Sequence, residues 1–230
     1  MDPLTNIDDY ETARDTLLAD GRFDSSLVLY NGDSGHRNFY VGPHVDFDGR
    51  GEIVEDPIVL LTHFGRNHQG RPLVNIDKYE ESFNYGPGAV FNTLESFNGR
   101  AFNGLGTLTE QAQVADFIAA GGTFDIGHVY EPFAQTLPDT TRLVNSFFLG
   151  RLTWAESAYT AIPCVSWMHV VIGDPLARAI VASEDVNGDG VLDIEDLYAW
   201  HRTPSDLTGE GASNDQDRHS VQRRRRAGCR

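Results

Sequence analysis

Two kinds of apolar pattern alternate along most of the chain. Helical spacing begins near the start, where Ile7, Tyr10, Ala13 and Leu17 recur and Gly21 offers a stop. The same periodicity predicts three further helices. They cover LTEQAQVADFIAAGG at 108–122, capped by Thr107 or Thr109 and closed by Gly121, TTRLVNSFFL at 140–149 and TWAESAYTA at 153–161.

Short apolar runs that end in polar turns lie between these helices. Helices that alternate with apolar strands indicate an α/β layered fold with a mostly parallel sheet. The polar ends of parallel strands share one edge of the sheet, so that edge is the expected place for a site. The predicted strands lie within SSLVLYNGDSG at 25–35, DPIVLLTHFG at 56–65, GAVFNTLESF at 88–97, TFDIGHVY at 123–130 and WMHVVIGDP at 167–175.

The composition changes at about residue 183. Residues 184–217 contain ten acidic residues and one basic residue, whereas residues 218–230 contain six arginines and no acidic residue. Two acidic, glycine-containing segments begin 21 residues apart, at Asp185 and Asp206. We therefore predict an α/β domain at 1–183, a small α-helical module with paired loops at 184–222 and a basic tail at 223–230.

The segment DVNGDGVLDIED at 185–196 has the residue types and spacing of an EF-hand calcium loop. Calcium prefers about six to eight oxygen ligands, which a twelve-residue loop supplies around a glycine at its sixth position. Gly190 stands at that position, and Leu192 is an apolar anchor for the loop. The predicted Ca²⁺ ligands are Asp185, Asn187, Asp189, the carbonyl of Val191, Asp193 and Asp196.

Asp196 departs from the general motif, which has glutamate at the twelfth position, and its shorter side chain favours weaker binding. A second segment, DLTGEGASNDQD at 206–217, keeps the same frame with fewer carboxylates. The sequence leaves open whether this second loop binds calcium. Its corresponding residues are Asp206, Thr208, Glu210, Asn214 and Asp217, with Gly211 at the turn.

The paired loops, each followed by a helix and with little room for a helix before it, resemble the type I dockerin module over residues 184–222. Dockerins bind calcium and attach secreted proteins to cohesin domains, often in polysaccharide-degrading assemblies. The resemblance therefore implies calcium as the cofactor, a cohesin-like protein domain as a partner and an extracellular or cell-surface location.

Three segments carry a second resemblance, to the C-terminal part of a secreted family with a gingipain-like, caspase-related α/β domain. They are PGAVFNTLESFNGRAF, FIAAGGTFDIGHVYEP and TWAESAYTAIPCVSWMHVVIGDPLAR, followed directly by the dockerin-like end. Active members of the gingipain-like group use a histidine after one strand and a cysteine after the next as a catalytic dyad.

His63 is the candidate for that histidine, because it ends the predicted strand at 56–65. The segment GAVFNTLESF contains no cysteine, and Cys164 lies later, in an apolar stretch typical of a small buried structural cysteine. A cysteine–histidine pair is needed for thiolate chemistry. We therefore expect an α/β domain without catalysis of its own. A cysteine-peptidase-like hydrolase of the gingipain or caspase type is the alternative.

The sequence gives weaker support to the other candidate catalytic and metal sites. GDSGH at 32–36 is similar to the nucleophile segment of chymotrypsin-like proteases, but nothing resembles the matching histidine segment. His63 with His68, or His128 with Glu131, would give a metal two ligands without a third at a diagnostic spacing. The arginine run at 223–226 is typical of a flexible charged tail.

Charge and composition exclude several classes of function. The net charge of −16 argues against nucleic acid as a partner, and a chain whose one lysine is Lys78, without GxxxxGK[ST], has no P-loop. Cys164 and Cys229 match neither a disulfide framework nor a zinc pattern. No apolar run is long enough to span a bilayer, and the segment after Met1 is no signal peptide. Because the chain opens almost directly into a helix, we expect earlier elements of the α/β domain upstream.

Overall fold

The computed structural model describes residues 9–20, 23, 25–31, 39–44, 51–63, 79–102, 111–150, 152–179, 186–187, 194–205, 207, 213–215 and 217–218. The backbone divides into two compact units, Met1–Ala179 and Ile180–Arg230. None of the described helices is both long and apolar enough to cross a bilayer.

Within its described residues, the first unit has mixed α/β content, with six strands in two sheets. A small parallel sheet joins β1 to β2, and a four-stranded sheet has the order β3-β4-β5-β6. In the larger sheet β3, β4 and β5 are parallel, and β6 is an antiparallel edge strand. The strands are β1 (Phe39–Val41), β2 (Gly51–Ile53), β3 (Ile58–His63), β4 (Tyr85–Thr93), β5 (Phe124–His128) and β6 (His169–Ile172).

Helices cover both faces of the four-stranded sheet. The α-helices of the first unit are α1 (Tyr10–Ala19), α2 (Val114–Ala119), α3 (Thr140–Leu143) and α4 (Trp154–Ala161), and a π-helix over Val144–Leu149 continues α3. Short 3₁₀ turns cover Ser25–Leu27, Glu80–Ser82 and Ala134–Thr136.

Two apolar clusters form the core, one on each face of the sheet, which gives three layers. On one face Phe117 of α2 stacks on Phe91 of β4, with ring centroids 5.1 Å apart. On the other face Trp154 of α4 packs on Phe124 of β5, at 5.0 Å. The predicted α/β architecture with mostly parallel strands is confirmed at this level.

Side-chain hydrogen bonds fix the starts of α3 and α4. Thr153 and Glu156 form a capping box at the start of α4, as the T-x-x-E spacing allows. The start of α3 is bonded from a distant part of the chain, because the carboxylate of Asp9 accepts the backbone N–H groups of Thr140 and Thr141. Asp9 directly precedes α1, so these bonds join the first helix to the third.

Two predicted elements differ from the structure. The segment at 25–31 forms a 3₁₀ turn and irregular chain instead of a strand, and it leaves Leu27 and Leu29 exposed. Helix α2 begins at Val114, well after the predicted caps Thr107 and Thr109, which lie outside the described residues.

The late start of α2 has a tertiary cause. The buried carboxylate of Glu80 accepts the backbone N–H of Gln113 at 2.6 Å, and Glu95 accepts that of Ala112 at 3.3 Å. Both N–H groups therefore have partners in an extended segment before the helix. Carboxylates at this end also interact favourably with the helix dipole.

The second unit contains α5 (Ile194–Arg202). Trp200 is buried, and its indole Nε1 donates to the carbonyl of Ser205 at 2.9 Å, which fixes the chain after the helix. Glu195 and Asp196 lie in the first turn of α5, where the positive end of the helix dipole favours carboxylates.

Candidate functional site

Asp196, the twelfth residue of the predicted calcium loop, is completely buried. Its Oδ1 accepts the backbone N–H of Val186 at 2.8 Å and that of Asn187 at 3.3 Å. These donors are the second and third residues of the loop, so one carboxylate joins the start of α5 to the beginning of the loop. A carboxylate oxygen has more than one acceptor direction, so these bonds are compatible with a cation ligand.

The second segment repeats one of these bonds at its twelfth residue. Asp217 is also completely buried, and its Oδ1 accepts the backbone N–H of Leu207, the second residue of that segment, at 2.8 Å. Its Oδ2 accepts the N–H of Asn214 at 2.7 Å. The repeat seen in the sequence is thus also a repeat of geometry at the twelfth position.

Only some of the other predicted calcium ligands lie among the residues that the structure describes. Asn187 is described and exposed. Within the described ranges, no group of three or more His, Cys, Asp or Glu side chains is placed to hold a metal. The loop residues outside those ranges are Asp185, Asp189, Val191 and Asp193 in the first segment, and Asp206, Thr208 and Glu210 in the second.

His63 lies at the carboxyl end of β3, as its position after an apolar run predicts. The side chain is 7% exposed and lies between the rings of Tyr79 and Phe91, with centroids 5.4 and 5.5 Å away. Its backbone carbonyl accepts the hydroxyl of Tyr10 at 2.8 Å, which joins α1 to this strand. His63 therefore stands among aromatic side chains of the core.

The neighbouring strand β4 offers no thiol beside His63. Thr93 is the register partner of His63, and the residues that follow are Leu94, Glu95 and Ser96. Cys164 lies instead in the segment between α4 and β6, half-buried, with its Sγ 4.0 Å from the Ser166 hydroxyl. The expected burial of Cys164 is therefore only partial.

His128 occupies the carboxyl end of β5 and is 1% exposed. Side chains alternate along strands: His128 shares a face with Phe124 and Ile126, which pack on α3 and α4. His63 shares a face with Leu61, whose cluster packs on α2. The two histidines thus lie on opposite faces of the sheet.

Glu131, the residue that the sequence paired with His128, is exposed, and its Oε1 accepts the hydroxyl of Ser96 at 2.7 Å. The structure instead places His169 beside His128. These two residues face each other across β5 and β6, with ring centroids 5.1 Å apart. The sequence analysis placed His169 in a predicted strand but did not single it out as a site residue. The local sequence does not show that β6 runs antiparallel to β5, which is what pairs the two histidines.

Burial shifts the pKa values of three groups on β5 and β6. It lowers the pKa of His128 to about 4, against a smaller opposing effect of the Glu95 carbonyl, so this ring is neutral at pH 7. Burial also lowers the pKa of His169, which the Thr136 backbone partly opposes. On the α2 face, burial raises the pKa of Asp125 well above its ordinary value.

The remaining candidates, GDSGH at 32–36, His68 and the arginine run at 223–226, lie outside the described residues. In comparisons with known proteins, no family model, no curated protein and no solved structure matches this chain.

Proposed function

We propose that residues 184–222 form a dockerin-like module that binds calcium through the loop at 185–196. The observation that carries the proposal is the buried carboxylate of Asp196, which accepts two N–H groups from the beginning of the loop. This bonding brings the twelfth residue next to the second and third. The sequence supplies Asp185, Asn187 and Asp189 as further oxygen ligands for a hard cation.

Calcium would neutralise the negative charge of the carboxylates in this unit. Removing a carboxylate from water is costly unless hydrogen bonds and an opposite charge compensate. Backbone N–H groups supply the hydrogen bonds to Asp196, and four aspartates within twelve residues repel one another without a cation. Because the ion binds the folded unit preferentially, calcium contributes directly to its stability.

The second segment is proposed to bind calcium more weakly. Its support is the bonding of Asp217, whose Oδ1 accepts the second-residue N–H at the same 2.8 Å as Asp196. Fewer carboxylates in this segment reduce the charge available to the ion, and calcium affinity depends on that charge.

The wider proposal is a secreted or surface-located protein. A caspase/gingipain-like α/β domain without catalysis of its own carries the module, and the folded module docks onto a cohesin-like domain within a polysaccharide-degrading assembly. The absence of a cysteine after β4 in the segment 88–97 supports an α/β domain that does not use thiolate chemistry.

Calorimetric titration of the full chain, after removal of bound metal by a chelator, tests the calcium proposal. We expect saturable binding of one calcium ion or two, with magnesium much weaker at the same sites. No saturable calcium heat would overturn the proposal. Pull-down with cohesin domains, with and without calcium, tests the partner separately: calcium-dependent capture supports docking, and calcium binding without capture refutes the cohesin assignment alone.

A further inference from the structure

His128 and His169 form a cross-strand pair at one end of the sheet. They are register partners on the antiparallel strands β5 and β6, and the N–H of Val129 donates to the carbonyl of Met168 just beyond them. That flanking bond marks a non-hydrogen-bonded pair, the position at which facing side chains approach most closely. The two rings meet edge to face, with centroids 5.1 Å apart and an interplanar angle of 69°.

One ring nitrogen of His128 already makes a hydrogen bond. Its Nδ1 lies 2.7 Å from the backbone carbonyl of Glu95, and a carbonyl only accepts, so Nδ1 carries the proton. The lone pair is therefore on Nε2. This atom has no hydrogen-bond partner within the described part of the chain, although the side chain is 1% exposed. A buried polar atom without a partner is costly and calls for an explanation.

The ring of His169 stands beside the ring of His128. It is half-buried, and neither ring nitrogen makes a hydrogen bond of good geometry to any described residue. Two imidazoles therefore lie edge to face, and no donor among the described residues occupies the lone pair on Nε2 of His128.

We propose that His128 and His169 bind one divalent transition-metal ion, such as Zn²⁺ or Cu²⁺, through their ring nitrogens. Imidazole suits these metals, and a ligating histidine ordinarily donates its second ring N–H to a carbonyl or carboxylate. The Glu95 carbonyl takes that role for His128. This site is independent of the calcium loop, because it lies in the first unit and uses nitrogen instead of oxygen ligands.

The pair supplies two ligands. No third His, Cys, Asp or Glu side chain joins them among the described residues, so water or a small ligand completes the coordination. A site with two imidazoles follows the general order of metal affinities, in which Cu²⁺ exceeds both Ni²⁺ and Zn²⁺. Calcium prefers oxygen ligands and does not compete.

The test uses the full chain saturated with calcium. Zn²⁺ and Cu²⁺ binding are measured by calorimetry, and electron paramagnetic resonance of the copper form reports the bound nitrogens. The variants are His128→Gln and His169→Gln, and the matched control is His44→Gln, whose exposed ring contacts Asn84. Wild type and the control should bind one ion with two imidazole nitrogens. Each pair variant should weaken binding about tenfold or more and lose one nitrogen from the spectrum.

Circular dichroism identifies a variant that fails to fold. If His128→Gln unfolds, the half-buried His169→Gln still decides the question by its affinity and nitrogen count. Equal binding by His169→Gln and wild type, a spectrum unchanged by the substitution, or no stoichiometric binding by wild type would each overturn the proposal.

Discussion

The Oδ1 atom of Asp196 lies 2.8 Å from the backbone nitrogen of Val186, ten residues earlier in the chain. This bond joins the first turn of α5 to the start of the predicted calcium loop, and Asp217 repeats it with Leu207. The carboxylate thus has two separable properties. Its oxygen accepts loop N–H groups, and its negative charge attracts a cation.

Replacing Asp196 with asparagine separates these properties. Asn keeps an oxygen that can accept the N–H of Val186 but removes the charge. We expect Asp196→Asn to weaken calcium binding about tenfold or more, equivalent to about 1.4 kcal/mol, measured by calorimetry on the full chain. Asp56→Asn is the matched control, because Asp56 is exposed and belongs to the first unit, outside both segments proposed to bind calcium. Equal calcium affinities for Asp196→Asn and wild type would contradict the assignment.

Removing calcium should loosen α5 more than the α/β unit. At a calcium concentration of about 100 times Kd, binding stabilises the folded unit by about 2.7 kcal/mol, so chelation should accelerate amide exchange in α5 about 100-fold. Hydrogen–deuterium exchange with mass spectrometry measures this directly. Helix α4 is the internal control, because its apolar face belongs to the core of the first unit. Exchange in α5 that does not respond to calcium would refute the stabilising role.

Asp125 should make stability fall as pH rises. Burial raises the pKa of its carboxyl in the folded state, and neither carboxylate oxygen has a well-formed hydrogen bond within the described residues, although the Ile126 N–H partly opposes the shift. The folded protein therefore holds this proton at pH values where the unfolded chain has lost it. The contribution of Asp125 is greatest below its ordinary pKa and declines above it, at no more than about 1.4 kcal/mol per pH unit.

The Asp125→Asn substitution tests this dependence. We expect the variant to remove that part of the pH slope and to gain stability relative to wild type at neutral pH, as measured by urea unfolding across the range. Asp56→Asn is the control, because Asp56 is exposed. A wild-type slope that persists in Asp125→Asn would show that another group causes it.

Gly173 and Gly121 should respond differently to alanine. Both have positive φ, at 123° and 105°, where a side chain is strained by about 1–2 kcal/mol. A Cβ on Gly173 would also stand 2.2 Å from Cδ1 of buried Phe124, whereas one on Gly121 meets nothing within 4 Å. Gly173→Ala should therefore destabilise the protein clearly more than Gly121→Ala in thermal unfolding. Equal losses would mean that Phe124 moves aside at little cost.

The local sequence pattern was enough to predict the strands and helices whose own apolar residues pack into the core. The run IVLLTH forms β3, TFDIGHVY contains β5, and TWAESAYTA contains α4. The start of α2 could not be predicted, because Glu80 bonds Gln113 from more than thirty residues away. The exposed apolar segment at 25–31 shows the converse, since an apolar run forms a strand only where a partner strand is available.

The sequence by itself determined the α/β character of the first unit, the residue types and spacing of the proposed calcium loop, and the position of the repeat. Each depends on composition or on residues near one another in the chain. Tertiary structure decided which distant groups meet. It placed His63 and His128 on opposite faces of the sheet, paired His128 with His169 through an antiparallel strand, and buried Asp196 against the start of its loop. Strand direction and burial depend on the packing of the whole unit, which no local pattern contains.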